Sequence, residues 1–159
     1  MSLEMSRGFT LIELVITVAL VGLLAAMVVP TVELTVKRAK EAELRIALRD
    51  LRRALDAYKQ AVDEGRVLGK VGESGYPPTL NALVEGVNDE RSPEKRKIYF
   101  LRRLPRDPMS VEPALAADET WGMRSYDSEP DAPAEGTDVY DVYSKSRAVG
   151  LNGVGYGKW

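Results

Sequence analysis

The chain has 159 residues, 22 basic against 24 acidic side chains, a net charge of −2, and neither cysteine nor histidine. These numbers argue against a bulk nucleic-acid binder and exclude thiol and imidazole catalysis, the usual zinc ligands and any disulfide framework. The length supports one small domain beyond a membrane segment. That segment begins near the first residue: from Phe9 to Val29 there are 21 residues, of which only Thr10, Glu13 and Thr17 carry polar side chains. As a helix, such a run crosses a hydrocarbon core of about 30 Å. Its one charge, Glu13, costs roughly 2.5–3.5 kcal/mol at mid-depth and needs a partner there.

The order Arg7-Gly8-Phe9-Thr10-Leu11-Ile12-Glu13, followed by the apolar run, resembles the type IV prepilin signal shared by prepilins and the pseudopilins of type II secretion. The resemblance implies that a prepilin peptidase cuts between Gly8 and Phe9 and that Phe9 becomes an N-methylated amino terminus. Glu13 then sets filament register by pairing with the Phe9 ammonium of a neighbouring subunit, an attraction far stronger in a low dielectric than in water. Gly8 suits a protease site, since backbone without a side chain enters an active site most easily. Two other readings are a secretory signal peptide and a plain single-pass anchor. The first would have an apolar core of about 7–15 residues and a small-x-small cleavage site, whereas this run is longer and holds no Ala-x-Ala.

Charge around the run points the other way. Arg7 and Glu4 precede it, while Lys37, Arg38 and Lys40 follow, so a positive-inside count leaves the C-terminal side in the cytoplasm. The resemblance implies an inner-membrane subunit with its C-terminal head in the periplasm, and that is the expectation adopted. Within the run, Ala19, Gly22 and Ala26 form a small-residue strip open to a second helix or simply tolerated by lipid. Pro30 removes a backbone donor and should kink or loosen a helix passing through it, or else mark a domain boundary. The resemblance implies local unwinding between Gly22 and Pro30 when subunits pack.

From Thr31 to Asp63 the pattern stays helical and becomes amphipathic. Leu44, Leu48, Leu51, Leu55, Tyr58 and Val62 alternate by four and three, with Ala47, Ala54 and Ala61 beside them. Such a stripe faces a core, here a small sheet, in preference to a coiled-coil partner. The expectation is one helix over 9–63, about 80 Å long at 1.5 Å per residue. Its membrane or filament-core part is 9–30, its amphipathic part 31–64, and the head 65–159, with 1–8 as leader.

Four glycines between Gly65 and Gly75 end the helix. Tyr76 to Gly86 then reads as a short helix capped by Thr79 and closed by Gly86, and resembles the Tyr-Pro-Thr segment and second helix of the major pseudopilin, the G subunit. Seven bases against Glu94 occupy 91–106, and ten acids against Arg124 occupy 107–141. This switch reads as a solvated surface, or as a head-to-tail contact between subunits. Leu104-Pro105-Arg106-Asp107-Pro108 is similar to the run that precedes Trp-Gly and the first strand in that subunit. Here Trp121-Gly122 follows an insertion, 109–120. Met123–Tyr126 and Val139–Ser144 read as two strands joined by the acidic loop 127–138, the second like the Asp-Leu-Tyr-Ser strand of the family.

The tail, Lys145–Trp159, is glycine-rich, and Trp159 is placed to pin it to the head. The resemblance implies a calcium ion in this last loop, held by aspartates and backbone carbonyls. Yet Lys145–Trp159 contains no Asp or Glu, and Asn152 is its only side-chain amide. The expectation is therefore no metal, with calcium near Asn152 as the lesser alternative. Pilins that close this region with a disulfide offer no model either, so another device must hold the loop.

Together these features predict an α+β, type IV pilin-like fold: a long N-terminal helix packed on a small antiparallel sheet. By resemblance the subunit is a structural one without cofactor. It self-associates into a periplasmic helical filament that drives protein export, and its partners are the peptidase/methyltransferase, an inner-membrane platform and minor pseudopilins. The alternatives are a type IV pilin for adhesion, motility or DNA uptake, and a membrane-anchored enzyme or binding protein. For the last, Asp138 and Asp141 are the paired acids available for acid/base work, although no phosphate loop, serine elbow or metal constellation accompanies them.

Overall fold

The computed structural model describes residues 9–69 and 72–159, with side chains for all of these except 27–30. The leader 1–8, Gly8 included, and the Pro30 ring lie outside the described residues. The dominant element, α1, spans Leu11–Asp63, 53 residues. It begins two residues after Phe9 because Thr10 caps it, and it continues through Pro30 without interruption. Its end is a glycine-dependent cap. Gly65 takes a φ of +67°, the Gly65 N–H donates to Val62 O at 2.8 Å, and the Arg66 N–H donates to Ala61 O at 2.8 Å.

The chain divides into two units, one ending at Ala39 and one comprising Lys40–Trp159. The division falls past Pro30, so the proline does not mark it. In the first unit all the described side chains of 9–26 and 31–36 are exposed, among them Leu11, Leu14, Leu20 and Leu24.

In the second unit the stripe is covered. Leu44, Leu51 and Leu55 are fully buried, Leu48 and Tyr58 nearly so, and Val62 is partly buried against the same core. Ala47, Ala54 and Ala61 are buried beside them. What covers them is assembled from distant segments: Val67, Leu80, Leu83, Trp121, Val139, Val142 and Tyr156. Full burial of a leucine contributes about 1.5–3 kcal/mol, so these positions dominate the head's stability.

The sheet is smaller and more divided than the sequence suggests. β1 (Val87–Asn88) pairs antiparallel with β2 (Lys97–Ile98), and β3 (Trp121–Arg124) pairs antiparallel with β4 (Asp141–Ser144). β3 starts two residues earlier than expected and ends at Arg124. Beyond it the Ser125 N–H turns to Ala134 O at 2.9 Å and the Tyr126 N–H to Asp138 Oδ1 at 2.9 Å, so the loop takes the donors a longer strand would have used. In this register Gly122 lies opposite Tyr143, and a Cβ at Gly122 would sit 2.3 Å from the tyrosine ring. The β1–β2 pair, of which only β2 lies in the basic stretch, was not apparent from the sequence.

The second helix is also shorter. α2 covers Ala82–Glu85, with Asn81 in the capping position and no side-chain cap. Thr79 contributes only its carbonyl, which accepts from the Ala82 N–H at 3.3 Å. The turns ahead of it are of the tighter 3₁₀ type, with the Ala82 and Leu83 N–H groups donating three residues back to Thr79 O and Leu80 O, so the α-helix starts only at Ala82. Gly86 closes it, as expected. Leu83 O then accepts from the Phe100 and Leu101 N–H groups at 3.0 and 2.9 Å, and Pro77 O from the Val139 N–H at 2.8 Å, which ties these loops to one core.

Candidate functional site

Two polar clusters sit on α1, one in each unit. The first is at its start. Glu13 Oε2 accepts from the Thr10 N–H at 2.9 Å and from the Thr10 hydroxyl at 2.9 Å, while Thr10 Oγ1 accepts from the Glu13 N–H at 3.3 Å. This is a reciprocal capping box, and it satisfies donors that the first turn of any helix leaves open. The Thr10-x-x-Glu13 spacing is itself a capping-box signature in the sequence. Phe9, 80 % exposed, lies directly before the box. Gly22 has nothing within 4 Å of where a Cβ would stand. By length and composition α1 qualifies as a membrane-crossing helix.

The second cluster joins α1 to the tail. Glu41, 4 % exposed, accepts at Oε1 from the Leu151 N–H at 2.7 Å and from the Tyr156 hydroxyl at 3.0 Å. Burial, then the nearby Glu41 carboxylate, push the Tyr156 phenol above its ordinary pKa. One turn along, the Arg45 guanidinium stacks on the Trp159 ring at 4.5 Å. Further on, Arg52 donates to Asp141 Oδ1 at 2.8 Å and to Trp159 O at 2.9 Å. Trp159 thus pins the tail, in edge contact with Tyr156 at 5.2 Å. Glu41 was missed, although a signal exists: it lies three residues before Leu44, on the line of the apolar stripe.

The Leu104–Pro108 run gains a physical meaning as a hub. Pro105 O accepts from the buried Trp121 indole N–H at 2.8 Å. Asp107, 3 % exposed, accepts from the Ser144 hydroxyl at 2.6 Å and the Met109 N–H at 2.8 Å. The Asp107 N–H donates to Thr120 Oγ1 at 3.1 Å. Arg106 donates to Glu112 O at 2.9 Å and to Leu115 O, so it holds the insertion in place.

The two acids considered for catalysis are engaged structurally. Asp138 accepts from the Ser74 hydroxyl and from the Tyr126 N–H. Asp141 accepts from Arg52 and the Val142 N–H, with Arg124 at 3.7 Å.

The donor set of the tail does not suit calcium, which takes about six to eight oxygens, with carboxylates supplying most of the affinity. Asn152 Oδ1 accepts from the Val154 N–H at 3.0 Å. Val154 O accepts from the Gly150 N–H at 2.9 Å and the Trp159 indole at 3.3 Å. Ala148 O, Gly150 O and Gly155 O accept from Tyr156, Gly153 and Lys158. These oxygens are turned to the loop's own N–H groups, the charged side chains of the tail itself, Lys145, Arg147 and Lys158, are all basic, and the carboxylate that reaches the loop, Glu41, accepts from Leu151 and Tyr156.

The family described as the prokaryotic N-terminal methylation motif matches residues 5–29. The chain is similar to the type II secretion system core protein G of Pseudomonas aeruginosa, 34 % identical over 115 residues that cover 68 % of this chain and 71 % of that one. It is similar to the core protein G of Klebsiella pneumoniae, 31 % identical over 127 residues covering 76 % and 81 %, and to that of Dickeya chrysanthemi, 30 % identical over 120 residues covering 73 % and 71 %. No solved structure matches it. On the motif at its start and on relatives aligned over most of both chains, the protein belongs to the type II secretion system core protein G family.

Proposed function

We propose that this chain is the repeating structural subunit of a periplasmic pseudopilus that drives protein export by type II secretion. The observation that carries this is the first unit: over 9–26 every side chain is exposed, and all but Thr10, Glu13, Thr17 and the small residues are large and apolar. An isolated subunit cannot keep that surface in water, so it waits in the inner membrane and afterwards covers the surface with copies of itself. The role is mechanical. Prepilin peptidase cuts between Gly8 and Phe9 and Phe9 is methylated. The head faces the periplasm, and an inner-membrane platform with minor pseudopilins receives the subunit. Glu13 then trades its Thr10 contacts for the Phe9 ammonium of the next subunit, which fixes register, while Gly22 and the Pro30 region give the helix latitude to adjust.

The test is intact-mass and N-terminal analysis of the protein produced with and without a prepilin peptidase, followed by filament counting. The expected mature chain starts at N-methyl-Phe9, a bulky residue at Gly8 blocks processing, and Glu13→Ala is processed but forms no filaments. Normal filaments from Glu13→Ala would remove the register argument. A leader that stays on would remove the pseudopilus reading itself.

A further inference from the structure

Glu41 lies beyond the apolar run, in the part of α1 that packs on the head. Its carboxylate is almost wholly enclosed, which is costly for a charge without strong partners. Those partners are the Leu151 N–H, inside the turn closed by the Val149–Gly155 bridge, and the hydroxyl of Tyr156, which directly follows that bridge. One oxygen of α1 therefore holds both the turn and the residue that leaves it. Arg45 on the Trp159 ring and Arg52 on Trp159 O hold the residues that follow.

We propose that Glu41 of α1, by accepting from Leu151 and Tyr156, takes the place of calcium in closing the C-terminal loop, so that this head folds and holds its loop without a metal ion. The logic of the closure is inverted in sign. A cation gathers oxygens around a positive centre, whereas here an anion gathers N–H and O–H donors and the loop's oxygens turn back on the loop itself. The tail itself carries only basic charged side chains, Lys145, Arg147 and Lys158, and so brings no carboxylate of its own to a divalent cation. The inference rests on the head's geometry and not on the filament reading.

The experiment is amide hydrogen exchange at Leu151 in the full chain in detergent micelles, in about 5 mM calcium, above the weakest extracellular-module affinities, and in excess chelator. Terbium luminescence sensitised through Trp159 serves as a direct probe of ion binding. The expected result is equal Leu151 exchange in both conditions and no saturable terbium signal from the tail. Glu41→Leu should speed that exchange at least about tenfold, and Glu41→Gln, which keeps an acceptor but loses the charge, about threefold. If Glu41→Leu does not fold, Glu41→Gln and Tyr156→Phe carry the test, both expected to loosen the loop with α1 helicity intact. The proposal is overturned if chelation loosens Leu151 in the unsubstituted protein, or if terbium saturates a tail site. It is equally overturned if the folded variants exchange Leu151 as slowly as the unsubstituted protein does.

Discussion

The two ends of α1 belong to one helix but differ in what covers them. Around Leu20 and Leu24 the leucines are more than half exposed, while Leu51 and Leu55, on the same element, show no exposed surface at all. Helix propensity does not separate them, since leucine is a good helix former at both ends. The difference lies in what surrounds each end. One is apolar on all sides and needs lipid or other subunits, and the other is apolar along a stripe and needs only its own head. A long helix can therefore serve two assemblies at once, provided that its periodicity changes along its length.

That contrast is open to attack by substitution. The largest effect is expected from a buried charge: Leu51→Asp should abolish cooperative unfolding of the head, at a cost above about 4 kcal/mol. Leu20→Asp should leave near-UV dichroism of the head unchanged and instead impair membrane integration, by roughly 2.5–3.5 kcal/mol on the insertion scale. Loss of the head signal in both variants would show that the two ends are not independent. A gentler pair is Leu55→Ala against Leu24→Ala in urea titrations of the micelle-bound protein. The first should cost about 2–5 kcal/mol and the second less than about 0.5 kcal/mol.

Two glycines sharpen the same comparison. Gly122→Ala drives a methyl into the Tyr143 ring and should cost about 1–3 kcal/mol by thermal melting. Gly22→Ala meets nothing and should raise helicity by up to about 1 kcal/mol without touching the head. Normal filaments from Gly22→Ala would show that assembly does not depend on helix latitude at that position.

The smallest effect is a pH dependence confined to the head. The side-chain hydrogen bond from Arg66, at 2.7 Å, is the main cause that holds the Asp89 carboxyl below its ordinary pKa. The folded state therefore binds fewer protons there than the unfolded chain does. The stabilisation is complete above the unfolded value, about 3.9, and disappears as pH falls through the lowered folded value. Arg66→Met should melt below the unsubstituted protein at neutral pH, with the gap closing under acid. A gap that stays constant with pH would assign the effect to packing of the Arg66 stem.

Much of the architecture was legible because its signals are local. The uninterrupted apolar run, the four–three alternation from Leu44 to Val62 and the glycines after Asp63 each act within a few residues, and each corresponds to the observed α1. The Thr10–Glu13 box was equally local and still missed, since a charge in an apolar run was read as needing an outside partner. What the sequence obscured was set by tertiary competition. β3 stops at Arg124 because Ala134 and Asp138 draw away the next N–H groups. Thr79 yields the capping position because the chain from Thr79 to Asn81 closes tighter three-residue turns before the helix begins. The Glu41 clasp could not be placed from sequence alone, because its donors lie 110 and 115 residues away.

Those separations also set an order in time. The residues that Glu41 and Arg52 hold are synthesised 89–115 positions after them, and closing loops of that length is the slow part of reaching a native fold. α1 can wind as soon as it is made. Its stripe stays uncovered until β4 and the final turn have been made, and during that interval the nascent head is most exposed to proteolysis and to pairing with the wrong chain.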